Sequence, residues 1–171
     1  MKKLAILLLT AASVLMTGCS NGTKVSREKF YETVNQLEDH QYKKVKIVET
    51  EKRSAKGEYA SDPYNNFVHK VIYNLIYNEP IGYWEPEEGS SIFTKQIKSI
   101  KYAEAVYEGA NTTYYIKPLR IVMNNKADIY TSKAEYKYDK YGFTTYDYSK
   151  NTKKDEKGTL TIEHTYTYIY K

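Results

Sequence analysis

Few side chains in this 171-residue chain are of the types that do covalent or metal chemistry. One cysteine, Cys19, and three histidines, His40, His69 and His164, are scattered along it. The histidines have none of the close spacings of zinc helices, so neither a zinc site nor a Cys/His dyad is indicated. The chain also lacks a GxSxG elbow, a P-loop and a GxGxxG turn. Carboxylates do gather around Trp84, at Glu79, Glu85, Glu87 and Glu88. Paired carboxylates beside an aromatic suit sugar chemistry or a bound cation. Set among Gly82, Pro86 and Gly89, they read more simply as a solvated acidic lip on a loop. No enzyme, cofactor or metal site is expected, and each histidine is expected at the surface or rim.

Cys19 takes its meaning from what precedes it. Lys2 and Lys3 open the chain, and Leu4 to Met16 form an apolar run broken only by Thr10 and Ser13. Thirteen residues are too few to cross a bilayer about 30 Å thick, which takes about 20. A basic start, a short apolar core and small residues at its end are the parts of a secretory signal. Met16, Thr17, Gly18 and Cys19 resemble, position by position, the lipobox of bacterial lipoproteins, with Met16 where Leu is commoner. The resemblance implies cleavage between Gly18 and Cys19 and acylation of Cys19. An ordinary signal peptide would instead leave a lone thiol with no disulfide partner in an oxidising compartment. Residues 1–18 are then the signal, 19–25 the lipidated cysteine and a short tether, and 26–171 one domain. Two or more acyl chains make such an anchor stable. The expected location is the extracytoplasmic face of a cell membrane, and the Lys-, Tyr- and Asn-rich composition favours a Gram-positive source.

Removal of the signal leaves 153 residues, the size of one domain with a sizeable core, and lowers the formal charge from +5 to +3. No disulfide is available, so the fold rests on packing. Nucleic acid is not an expected partner: only Arg27, Arg53 and Arg120 among 26 basic residues are arginines, the usual readers of bases. The lysines read as solubility and edge protection, and they favour an anionic membrane surface.

The spacing of Phe30, Val34 and Leu37 predicts a helix over 26–38, with Ser26 as its N-cap and Glu28 in its first turn. Val45 and Ile47 alternate against lysines, predicting a strand over 42–53. Residues 63–78 open on Asp62 and Pro63 and carry Phe67, Val71 and Leu75 in a helical stripe. They are also rich in β-branched and aromatic residues, so helix and strand compete there, and the helix is taken. Residues 81–91 read as a loop. Strands are expected near 98–108, 112–123, 128–139, 142–151 and 158–170. A short hairpin turn falls at Asp139 to Gly142, and a charged connection at Asn151 to Gly158.

The last of these strands alternates Leu160, Ile162, His164, Tyr166, Tyr168 and Tyr170 against threonines, so one face is aromatic and the other wet. Tyr136 with Tyr138, and Tyr146 with Tyr148, repeat the pattern, and the amphipathic helix is the element expected to cover it. The chain holds 20 tyrosines against four phenylalanines. A packed Tyr still needs a partner for its hydroxyl, which suits a groove reaching water or a ligand. One reading is a groove lined by Tyr136, Tyr138, Tyr146, Tyr148, Tyr166 and Tyr168, with Trp84 on a loop nearby. The other is ordinary cross-strand packing of the same rings.

The expected fold is α+β: a curved antiparallel β-sheet, half-barrel-like, with one or two helices on one face. A helix, a strand and a long meander on a lipid tether resemble in architecture the LolA/LolB and LppX type of half-barrel lipoprotein, which implies a carrier of lipid or another apolar molecule. Tyrosine is more polar than such a cavity usually requires, and fold alone does not fix function. Two functions are expected from these readings. One is a non-enzymatic module, anchored to the membrane by lipid, that binds an envelope protein. The alternative is a carrier or sensor of an apolar ligand in the tyrosine groove.

Overall fold

The computed structural model describes residues 22–88, 97, 99–102 and 110–171. The signal segment, with Gly18 and Cys19, lies outside them, as does most of the strand expected at 98–108.

The helix forms where its periodicity places it. α1 spans Arg27–Asn35, the Ser26 hydroxyl accepts from the Lys29 amide at 3.2 Å, and Glu28 sits in the first turn. Phe30 and Val34, one helical turn apart, are 0% and 1% exposed, so a single stripe of α1 is buried.

Apart from short 3₁₀ turns, the other elements among the described residues are strands: β1 (Thr23–Val25), β2 (Lys44–Gly57), β3 (Phe67–Asn78), β4 (Tyr83–Pro86), β5 (Asn111–Ile116), β6 (Arg120–Ala127), β7 (Tyr130–Tyr138), β8 (Thr144–Asp155) and β9 (Gly158–Tyr170). They form one open antiparallel sheet in the order β1-β5-β6-β7-β8-β9-β2-β3-β4. The α+β class with an antiparallel sheet is therefore as expected, with one α-helix among the described residues.

Directly paired residues share a face of a sheet, so the register sorts every strand into two faces. One face bears α1. At the β5 and β6 end it buries Phe30, Val34, Ile100, Tyr114, Ile121 and Met123, and at the β2 end Val45, Ile47, Leu75 and Tyr168. α1 covers the first group, on β5, rather than the tyrosines of β9.

The β7–β8 hairpin turns as predicted. Gly142 has φ 86° and its amide donates to the Asp139 carbonyl at 3.1 Å, while the Asp139 carboxylate accepts from the amides of Tyr141 and Phe143. A side chain at Gly142 would press on Ile100 and Leu37, so the turn is also a packing surface.

Several expectations are corrected. Residues 67–78 are a strand, not a helix. Asp62 and Pro63 do start a helical turn, but it is a 3₁₀ turn that stops at Asn65. Phe67, Val71 and Leu75 are four apart, a spacing that keeps them on one face of a strand as well as of a helix. Within 81–91, Tyr83–Pro86 is strand β4, paired with Leu75 to Asn78. The single strand expected at 112–123 is two, β5 and β6, because Pro118 has no amide to give a ladder and Lys117 turns back with φ 54°. The charged connection begins later than expected. β8 runs to Asp155 and β9 starts at Gly158, leaving a two-residue turn. Ile100–Tyr102 is a 3₁₀ turn rather than part of a strand. Thr23–Val25, read as the end of the tether, pairs with β5 as an edge strand.

Candidate functional site

The alternation of β2 brings its own surprise. Val45 and Ile47 point into the core, and the next residues on that face are Glu49, Glu51 and Arg53. The apolar face thus turns polar within one strand. β9 makes the same change from Tyr168 to Tyr166 and His164, which pair with Ile47, Glu49 and Glu51.

Glu49 is held from both sides. The Tyr73 hydroxyl of β3 donates to its Oε2 at 2.8 Å and the Tyr166 hydroxyl of β9 donates to its Oε1 at 2.7 Å. Each carboxylate oxygen takes one phenol, and no cation pairs with Glu49 among the described residues. Glu51 differs, since the Arg53 guanidinium lies at 2.7 Å and His164 Nε2 at 3.9 Å. Arg53 in turn stacks over Phe67 at 5.1 Å. A third carboxylate, Asp147 of β8, pairs in register with Tyr136 on one side and Tyr166 on the other.

Burial raises the Tyr73 phenol to about 12, and its bond to Glu49 pushes in the same direction. Tyr166 is raised by the same causes in the same order, and Tyr168 by burial and then by the charges of Asp147 and Glu49. A phenol whose folded value lies above its unfolded value, about 10, stabilises the fold below that unfolded value. The contribution is lost as pH rises through the folded value. Resistance to denaturant is therefore expected to fall between about pH 10 and about 12, tracked by phenolate absorbance and unfolding in parallel. A flat stability profile across that window would show that these hydroxyls contribute nothing.

The predicted site residues do not form one group. Tyr136, Tyr138, Tyr166 and Tyr168 share the helix-bearing face, with Tyr136 and Tyr138 packed against the α1 cluster and Tyr168 buried in the β2 cluster. Tyr146 and Tyr148 stand on the opposite face, paired in register with Lys137 and Glu135. Their rings stack on each other at 6.4 Å, and the Lys137 ammonium lies 4.7 Å from the Tyr146 ring. Trp84 packs on the second cluster, 5.4 Å from Tyr77 and 6.3 Å from Tyr170, so it closes the core end. Of the histidines, His69 and His40 are exposed, the latter stacked on Tyr141, while His164 is half-buried beside Glu51 rather than at a rim.

Glu49, Glu51, Arg53, Asp147 and Tyr73 are not among the expected site residues. Their signal was the pair of acids at Glu49 and Glu51, placed at period two on the face of Val45 and Ile47. Among the described residues no group of three or more His, Cys, Asp or Glu is placed to hold a metal ion. No known protein family, characterised protein or solved structure matches the chain.

Proposed function

We propose that the protein is a lipid-anchored lipoprotein of the extracytoplasmic membrane face, and that its domain is a non-enzymatic binding module. In this reading the sheet curls in half-barrel fashion around α1. The partner, an envelope protein, is met on the polar part of the helix-bearing face. The observation that carries the reading is Glu49, a carboxylate held by two tyrosine hydroxyls and left without a cation among the described residues. A fixed, partly desolvated carboxylate flanked by aromatic rings favours a cationic group such as a partner's lysine or arginine. The lipobox supports the location, and among the described residues no helix is long and apolar enough to cross a membrane.

The discriminating experiment is native mass spectrometry and solvent extraction of the mature chain, residues 19–171, after exposure to membrane lipids. A protein mass without bound lipid is expected. A stoichiometric lipid or other hydrophobe would replace the binding module with the carrier of an apolar ligand.

A further inference from the structure

The two faces of the sheet differ in charge. On the helix-bearing face the strands carry Glu49, Glu51, Asp147 and Asp155 against Arg53 and Lys153. The opposite face is basic. On its β2 and β3 portion stand Lys46, Lys52, Lys56 and Lys70, all exposed, and none is ion-paired with a carboxylate among the described residues, although Lys52 stands across the strand pair from Glu163. The acids of that face are already engaged: Glu85 accepts from Asn78, Glu135 pairs with Arg120 and Lys137, and Glu163 pairs with Lys150.

Between these lysines lie exposed aliphatic side chains. Val68, Ile72 and Ile76 of β3 are 68%, 44% and 38% exposed, and Ile169 of β9 is 45% exposed. Val48 pairs with Ile72, Lys46 with Ile169 and Lys52 with Val68, so aliphatic and cationic groups alternate over neighbouring strands. Lys46 and Lys52 are six residues apart, about 20 Å along the strand. Aliphatic side chains set among unpaired lysines match the boundary between acyl chains and anionic headgroups.

We infer that this β2, β3 and β9 surface, opposite α1, is where the domain lies on an anionic phospholipid bilayer. The inference rests on the lipid-anchor reading. A tether of residues 20–22 spans at most about 11 Å, which keeps the β1 edge of the sheet near the bilayer. Lying on this face leaves Glu49 and the helix-bearing face turned away from the membrane, toward a partner.

The test uses the mature chain, residues 19–171, with Cys19→Ser, so that no acyl group contributes. It is mixed with vesicles of phosphatidylglycerol or of phosphatidylcholine and sedimented. Binding to phosphatidylglycerol, weakened by salt and absent with phosphatidylcholine, is expected. The triple variant Lys46→Gln, Lys52→Gln, Lys70→Gln should reduce it about a hundredfold, each near-surface lysine counting about fivefold. Lys29→Gln on α1 should leave it unchanged. These side chains are exposed, and matched melting curves confirm that the variants fold. Equal binding to both lipids, an unaffected triple variant, or no binding by the parent chain would overturn the inference. Equally tight capture of soluble polyphosphate, or self-association through Ile72 in place of vesicle binding, would do the same. Because Cys19 is absent, failure of acylation in cells would sink the anchor reading and leave this result standing.

Discussion

Replacing Cys19 by alanine is expected to abolish incorporation of labelled fatty acid completely and to stop conversion of the precursor to the mature mass. Both effects are expected from one atom, because in the proposed lipoprotein reading the thiol is the acyl acceptor and, in the lipobox that Met16, Thr17, Gly18 and Cys19 resemble, also marks the cleavage position. The outcome is close to all-or-none, unlike the graded losses produced by surface substitutions. It is read by metabolic labelling and intact mass of the membrane fraction. Mature-size protein without label would reveal an ordinary signal peptide and a free thiol, and label retained in Cys19→Ala would move the acceptor elsewhere. Two or more acyl chains should resist extraction by salt, since one chain alone binds marginally.

Phe30→Ala carries the largest expected loss of stability, about 3–5 kcal/mol. The ring is fully buried on α1, with Tyr31 and Tyr114 at centroid distances of 5.4 and 5.2 Å. Nothing else among the described residues docks α1 as deeply, apart from Val34. Domains of this kind have only about 5–15 kcal/mol in hand, so the variant should unfold at much lower denaturant, with α1 detached or the whole domain lost. Glu32→Ala on the same helix is the contrast. Its pair with Lys29 is exposed on both sides, and such pairs contribute about 0–1 kcal/mol. Equal effects of the two substitutions would mean that α1 is not held by its buried stripe.

Some of the fold was readable because its causes are local. α1 announces itself through Ser26, Glu28, Phe30 and Val34, all within two turns. β7, β8 and β9 do so through strict alternation, and Gly142 marks their turn. The errors came where one pattern fits two geometries. Phe67, Val71 and Leu75 satisfy periods of 3.6 and of 2 alike, and only pairing with β2 and β4 decides. The grouping of the tyrosines failed for a related reason. Alternation shows that Tyr146 and Tyr148 share a face, but not which face, because that depends on register with β7. The register there shifts between Lys137 and Tyr138, a non-local feature. The Glu49 clamp was hidden for the same cause. Its three residues lie on three strands, and Tyr166 is 117 positions from its acceptor.

The position of β9 has a consequence for how the chain reaches this structure. β9 joins β8 to β2, two strands whose nearest ends lie 87 residues apart, so the sheet has no continuous ladder until residues 158–170 are in place. Contacts of such high sequence separation make folding slow, since loop closure precedes any reward from pairing. A nascent chain ending before β9 has β2, β3 and β4 on one side and β5 to β8 on the other, with no strand to bridge them. Contact order therefore keeps these two parts of the polypeptide apart until β9 has been made, and a chain in that open condition threads most easily through a narrow pore.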